Sequence, residues 1–469
     1  MLLKNPDDRP LILWFRRDLR RDDHPMLAAA HATGRPLIPV FLLDPQTGSI
    51  GAAAQWRLGL AVAQFGQDLA AAGSRLTLRK GSALAQMQAL IAETGASGVW
   101  WSRLYDPVSV ARDTAVKAVL RLAGQDVRSF PGHVLVEPWD IATGAGDPYR
   151  VYTPFWKALR SRGVEAPAPF VTRLKPPETW PATEVLTDWR LEAAMNRGAA
   201  GVLAHQAVGE VLARDRLDRF LAGPVRDYAN HRNHLALPAT SRLSENLTYG
   251  EIGVRRVWYM GLRALEEGAP GAESFLKELV WRDFAWHLIH HYPHIILRSW
   301  REEWQTFPWR PDNADAERWR RGQTGEPVVD AAMRALYATG TMHNRARMIV
   351  ASYLTKHLLT DWRVGQAWFA DCLTDWDPAS NAMGWQWVAG SGPDAAPYFR
   401  IFNPETQAEK FDENGSYRQH WLTGAGAEEF FRAAPRSWAL DPAAPPPAPI
   451  LPLAEGRARA LAAFAQRNR

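Results

Sequence analysis

The first third of the chain alternates short apolar runs with longer stretches in which apolar residues recur every three or four positions. Leu11–Phe15, Leu37–Leu43, Arg75–Arg79 and Gly98–Ser102 are runs of strand length, and Asp126–Phe130 is a weaker fifth. Alanine-rich helical stretches lie between them, over about 24–33, 54–73, 82–95 and 107–123. Strands alternating with such helices predict a parallel sheet with right-handed crossovers. The turn after the first strand is Arg16-Arg17-Asp18-Leu19-Arg20, not a glycine-rich phosphate loop, so a standard dinucleotide site is not expected there. Ligands of such sheets sit beyond the carboxyl ends of the strands, where Arg16, Arg17 and Asp18 stand. The plainer reading of these three is a solvated, internally bridged turn.

The pattern then changes. Between Pro131 and Pro181 nine prolines interrupt any long element, and this stretch reads as a linker wrapping between domains. From about 205 onward helical periodicity dominates and no alternating strand pattern appears. Pro442 to Pro452 is an irregular Pro/Ala stretch, followed by a helical segment over about 453–467. The expected fold is an α/β domain with a Rossmann-like parallel sheet over 1–135, a linker over 136–204 and an all-α domain over 205–469.

Composition narrows the class. Apolar residues make up 46% of the chain and charged residues 22%, as in soluble globular proteins. Lys and Arg number 55 against 50 Asp and Glu, a mildly basic balance that permits a nucleic-acid partner without requiring one. The single cysteine, Cys372, excludes an intrachain disulfide framework and a cysteine-cluster metal site, and it points to a reducing, cytoplasmic setting. The N-terminus lacks a charged-then-apolar leader pattern, and no apolar run is long enough to span a membrane.

The candidate chemistry is aromatic. Of 22 tryptophans, five fall between Trp362 and Trp387, around Asp375-Trp-Asp-Pro-Ala-Ser-Asn381. Indoles that stack, beside short polar groups that read ring edges, suit a flat cofactor, a flat base, or both. Asp377-Pro378 has the form of a helix cap followed by proline at the first helical position. Thr240-Ser-Arg-Leu-Ser244 groups three hydroxyls at a helix start, where they serve an anion or simply cap the helix. Tyr228 lies near enough in sequence to join them. Glu278 and Trp281 share a helix face, so Trp281 would stack on a base while Glu278 accepts from ring N–H groups, unless Trp281 is core. His343-Asn-Arg-Ala-Arg-Met348 reads as mid-helix, with Asn344 and Met348 one turn apart and Arg347 able to pair Asp375. Between 331 and 363 five cations (Arg334, Arg345, Arg347, Lys356, Arg363) face one acid, Asp361, which suits a nucleic-acid surface or a solvated basic face. No His or carboxylate spacing supports a metal site.

Taken together these segments closely resemble the photolyase/cryptochrome family, most nearly its bacterial class I cyclobutane-pyrimidine-dimer photolyases. The resemblance runs from Trp14-Phe-Arg-Arg-Asp-Leu-Arg20 to Trp421. It rests on Thr-Ser-Arg-Leu-Ser, Trp-Arg-Asp-Phe, the His343–Met348 and Asp375–Trp387 runs, and Pro397-Tyr-Phe-Arg-Ile-Phe-Asn-Pro404. It implies an antenna-chromophore domain followed by a helical domain holding FAD, active as FADH⁻. Tyr228 and Thr240, Ser241, Arg242, Leu243 and Ser244 would hold the phosphate and ribityl portion. Arg347, Asp375, Trp376 and Asp377 would hold the ring and ribose side, although the Trp376 ring itself reads as core, as does Trp368. Asn381 would lie near flavin N5, where plant-type cryptochromes tend to place Asp and insect-type ones Cys. Asn favours repair over signalling.

The same resemblance implies light-driven electron transfer to a dimer flipped out of ultraviolet-damaged DNA, single- or double-stranded. Glu278, Trp281, Asn344, Met348 and Trp387 would line the dimer pocket. Arg232, Arg282, Arg345, Arg400 and Gln407 would contact DNA. Trp385, Trp362 and Trp309 would relay electrons to the flavin, with Trp304 a possible substitute for Trp309. The alternatives are a cryptochrome-type photoreceptor, a non-catalytic DNA-binding flavoprotein and a (6-4) photolyase. The last usually has His where this chain has Asn344 and Met348. Folate as antenna is doubtful, because Val108-Ser109 and Leu297 replace the Asn-Glu pair and Lys of folate-binding members. A deazaflavin, a second flavin and an empty pocket remain open. A monomer is expected.

Overall fold

The computed structural model describes residues 8–195 and 197–467. Met1 to Asp7, the stretch read above for a leader, lies outside the described residues, as do Asn196, Asn468 and Arg469. Five strands form one parallel sheet: β1 Leu11–Phe15, β2 Leu37–Leu43, β3 Thr77–Lys80, β4 Gly98–Ser102 and β5 Asp126–Phe130. Their order is β3-β2-β1-β4-β5. β1, β2 and β4 are buried along their whole length, because helices cover both faces of the sheet. That is why they read as unbroken apolar runs. β3 begins two residues later than expected. Arg75 turns aside to donate to the Pro181 carbonyl at 2.5 Å and lies against the Trp180 ring.

Strand order reverses on either side of β1, so the crevice beyond the carboxyl ends of β1 and β4 is the topological switch point. The Arg16–Asp18 turn occupies it and is not solvated. Arg16 pairs with Asp113 at 2.8 Å and Asp18 with His24 at 3.1 Å, all but Asp113 buried. Burial pushes the Asp18 carboxyl up, but the hydrogen bond and charge of His24 outweigh it and hold the group at about 2.

The proline-interrupted segment is more than a wrap. Helix Tyr152–Arg162 forms inside it, with Pro154 in the first turn, where no backbone donor is needed. This helix buries Tyr152, Phe155, Trp156 and Leu159 in the core of the helical domain. After Phe130 no strand occurs among the described residues. The helical domain has two apolar cores. One is centred on Ala272–His291 and Val254–Glu266, the other on Pro327–Thr339, Asn344–Ser352 and Trp362–Cys372. Helix Pro378–Ala389 is their seam: Ala379 and Ala382 belong to the first core, Trp385, Val388 and Ala389 to the second.

Two buried polar contacts tie the sheet domain to the helices. Arg57 pairs with Glu251 at 2.6 Å, both essentially fully buried. Asp283 accepts from the backbone N–H groups of Leu135 and Val136 at 2.7 and 3.2 Å. Burial raises the Asp283 carboxyl to about 7, against the opposing charge of Arg282. A raised carboxylate favours the folded state fully below the ordinary value of 3.8, and that stabilisation is lost as pH climbs through 7. Asp283→Asn is therefore expected to flatten the fall in unfolding temperature expected of wild type between about pH 4 and 7. Thermal melts across that range check it, with a slope of at most about 1.4 kcal/mol per pH unit at stake.

Candidate active site

Helix Ala272–His291 presents Glu278 and Trp281 one turn apart, as spacing i, i+3 requires. The Trp281 ring lies flat on Tyr152, centroids 3.6 Å apart and planes 4° from parallel. One indole face is thus covered and the other looks into the cavity at the helical seam. The Tyr152 hydroxyl donates to the Lys277 carbonyl at 2.8 Å, fixing this backing ring. Sequence reading missed Tyr152, which stands in the stretch taken for linker. Its only signal is the aromatic spacing Tyr152/Phe155 around a proline allowed in a first helical turn.

His343 caps helix Asn344–Ser352 instead of lying mid-helix: its Nδ1 accepts from the Arg345 N–H at 3.1 Å. Burial, with the charges of Arg345 and Arg347, pushes His343 down to about 4, so it is a neutral cap. Asn344 and Met348 follow on the face lining the cavity. Arg347 donates to the Met342 carbonyl at 2.9 Å and to Asp375 Oδ2 at 2.7 Å. Asp375 Oδ1 is buried with no hydrogen-bond partner among the described residues.

Asp377 caps helix Pro378–Ala389. Its Oδ1 accepts from the Ser380 N–H at 2.8 Å and its Oδ2 from the Trp286 indole at 3.1 Å. One turn on, Asn381 donates its amide to the Gln366 carbonyl at 3.1 Å, which leaves its oxygen for the cavity. A further turn on, the buried Trp385 ring presses on Gly365. A Cβ there would fall 2.0 Å from the ring, so only glycine fits. This contact places Trp385 against the helix that Trp362 begins. Trp309 packs against the second core, to which Trp362 and Trp385 belong, and also meets Trp304 at 6.1 Å, whereas Trp304 belongs only to the outer aromatic cluster.

The resulting cavity has two lobes. The larger, about 470 Å³, is walled by Glu278, Trp281, Asn344, Met348, Asn381, Trp385 and Trp387. The smaller, about 210 Å³, is walled by Tyr228, Ser241, Leu243, Thr248 and Phe275. Ser244, Glu278, Arg282, Arg347, Asp375, Asp377 and Ser380 belong to both. Thr240 and Arg242 line neither. Arg242 has a left-handed backbone, φ 54°, and its exposed side chain points elsewhere. Trp376 walls the larger lobe while Arg17 of the sheet domain lies over its ring at 5.5 Å, so it is both wall and domain contact. Flat indole walls, an unpartnered Asp375 oxygen and an inward Asn381 oxygen together suit a planar heteroaromatic ring with donors along its edge.

Several cations are not where surface reading places them. Arg282 turns inward, donating to the His133 carbonyl at 2.6 Å, and walls the cavity. Burial lowers its pKa. The basic run over 331–363 does not form one continuous basic face. Arg334 and Lys356 are buried, Arg347 and Arg363 are paired with Asp375 and Asp361, and Arg345 donates to Asn233 at 2.9 Å. Arg232 pairs with Glu278 at the cavity mouth. Arg400 is exposed and Gln407 half-buried, both outside the cavity lining. A separate cavity of about 570 Å³ lies beyond the carboxyl ends of β2, β3 and β4, walled by Gln46, Ser82, Leu84, Val108 and Arg112. Among the described residues no helix is long and apolar enough to cross a membrane.

Known proteins match at both levels. Residues 11–174 match the DNA photolyase family model, and residues 275–466 match the FAD binding domain of DNA photolyase. The chain is 44% identical, over 97% of its length and 98% of the relative's, to deoxyribodipyrimidine photo-lyase of Agrobacterium fabrum. It is 34% identical to Cryptochrome-1 of Arabidopsis thaliana, over 88% of this chain and 62% of that one. The crystal structure of a bacterial class III photolyase from Agrobacterium tumefaciens superposes with a TM-score of 0.91 at 42% identity, covering 100% of this chain and 99% of that one. The chain belongs to the photolyase/cryptochrome family, as a photo-lyase-type enzyme with an FAD-binding domain.

Proposed function

We propose that this protein splits cyclobutane pyrimidine dimers in DNA, driven by light, with FAD in the seam cavity. One observation carries the reading: the residues that suit a flavin edge and those that suit a dimer wall the same 470 Å³ lobe. Bound there in its reduced, anionic form, FAD would supply the light-driven electron chemistry that opens the dimer's cyclobutane ring.

The chain's own residues do the rest. Asp375, held by Arg347, and Asp377, held by Trp286, offer acceptors to the flavin ring and ribose side. The smaller lobe takes the phosphate and ribityl portion through Tyr228, Ser241 and Ser244. Enzymes acting on bases, photolyases among them, take the base out of the stack. Trp281 receives the flipped dimer on its open face, Trp387 closes the opposite wall, and Asn344 and Met348 contact its edges. Glu278 accepts from a base N–H, which releases Arg232 toward the DNA backbone beside Arg345, Arg400 and Gln407. Trp309, Trp362 and Trp385 pass electrons inward.

The (6-4) photoproduct needs an acid that this site lacks. Asn344 and Met348 cannot donate a proton, and His343 is neutral and committed to its cap. Against a signalling role stands the neutral amide of Asn381. The motifs resemble class I members and the superposed structure is named a class III photolyase; the reading rests on the residues of this cavity and on neither label. The protein is taken to act as a cytoplasmic monomer. The 570 Å³ cavity beside the sheet is the place for an antenna chromophore other than folate.

Binding to duplexes with and without one thymine dimer, measured in the dark, tests the reading. Wild type is expected to prefer the damaged duplex strongly. Trp281→Ala should weaken that preference by about 10- to 100-fold, the worth of one stacked base. Equal wild-type affinity for both duplexes would overturn it. Trp385→Phe should slow photoreduction of oxidised flavin yet leave repair intact after chemical reduction. Loss of both would show that Trp385 is misassigned.

A further inference from the structure

We propose that Lys356 is a positioning residue for DNA recognition, holding the exposed loop between Pro397 and Asn403 from inside the protein. The inference rests on the reading of the seam cavity as a dimer site. Helix Asn344–Ser352, which carries Asn344 and Met348, continues into a π-helical turn, Tyr353–His357. Such turns are rare and frequently mark functional positions. This one aims a set of side chains at a single loop. Lys356, 1% exposed, donates through Nζ to the carbonyls of Tyr398 and Arg400, each at 3.0 Å. His357 Nε2 meets the Phe402 carbonyl at 3.1 Å, and Ser352 Oγ accepts from the Phe402 N–H at 3.2 Å. The loop between has no regular secondary structure, and it holds out Arg400 and Phe399, the latter 63% exposed.

A buried ammonium is costly, and no carboxylate pairs with Lys356 among the described residues. Two carbonyls that would otherwise be buried and unpaired are what it satisfies. A cation under the loop also adds to the positive field at the surface carrying Arg400. The helix that contacts the lesion at one end therefore sets, at its other end, the loop that meets the DNA around it.

Burial and the charge of Arg400 lower Lys356 to about 7. The other charged or titratable groups around it are Tyr398 on the loop, Tyr353 and His357 on the π turn, and Glu455 and Arg459 on helix Leu453–Arg467. Helix Asn344–Ser352 brings Arg345 and Arg347 at its far end. Helix Trp362–Cys372 brings Arg363, paired with Asp361, and Asp371, and helix Pro378–Ala389 brings none. The lysine is charged below pH 7 and neutral above it, so its charge-assisted bonds to the loop weaken as pH rises.

The test uses the FAD-loaded protein with Lys356→Met and Lys356→Gln. Both are expected to keep the flavin spectrum. Lys356→Met should raise KM for a dimer-bearing duplex about tenfold, the worth of a hydrogen bond to a charged group, with kcat under saturating light little changed. Lys356→Gln, which restores one donor, should fall between. Trypsin should cut the Arg400–Ile401 bond faster in Lys356→Met. Wild-type affinity should weaken from pH 6 to 8 more than that of Lys356→Met. Unchanged KM and unchanged cleavage would overturn the proposal, as would loss of kcat together with flavin. If wild type ignores the dimer, the functional reading fails, and trypsin cleavage still decides whether Lys356 holds the loop.

Discussion

Arg347→Met is expected to empty the cofactor cavity. Asp375 is 6% exposed, and its Oδ2 has the Arg347 guanidinium at 2.7 Å. Removing one partner of a buried pair leaves an uncompensated charge and costs about 3–5 kcal/mol. Arg347 keeps 28% of its side chain exposed, so the lower end of that range is the better estimate. Even about 3 kcal/mol is roughly a 100-fold loss of FAD affinity, and the purified variant should be colourless. Adding Asp375→Asn removes the stranded charge, so the double variant should lose less than the two single losses added together. Absorbance at flavin wavelengths after gel filtration, with FAD titration, checks both. Wild-type flavin retention in Arg347→Met would show that the pair does not build the site.

Asn381→Asp is expected to abolish repair while retaining flavin. The Asn381 amide donates to the Gln366 carbonyl, so its oxygen faces the cavity. An ionised aspartate has no donor for Gln366 and would set two acceptors against each other in a largely enclosed site. It would also bring a negative charge to the cavity that must hold an anionic reduced flavin. A like charge at close range destabilises that anion by several kcal/mol in such surroundings, a loss of order 100-fold or more in the active form. The flavin of this variant should resist full photoreduction, seen as a spectrum that stops short of the bleached state. Complete reduction with normal repair would separate Asn381 from the chemistry.

β1, β2 and β4, buried on both faces, leave apolar runs that nothing else in the first third imitates, so they were legible outright; β3 and β5 are partly exposed, and their weaker runs were legible from their place between helical stretches. The cavity residues were legible because a few short motifs carry most of them. Depth was not. A count of cations over 331–363 cannot tell that Arg334 and Lys356 are inside while Arg347 and Arg363 already have partners. Periodicity places Trp281 on a face but says nothing of Tyr152 behind it, 129 residues earlier in the chain and beyond a proline-rich stretch. Arg282 follows Trp281 directly, yet a helix turn of one residue carries it from the cavity mouth to the His133 carbonyl of the sheet domain. His343 looked like a residue within a helix because the helix start is signalled by its own ring, not by a common Ser, Thr, Asp or Asn cap.

Light-driven repair is tested most directly by one measurement. The flavin is reduced chemically, a thymine-dimer oligonucleotide is added, and the products are separated by chromatography after equal times under blue light and in the dark. Conversion to intact thymines in the light alone is the expected result. Equal conversion in light and dark, or none in either, would contradict it.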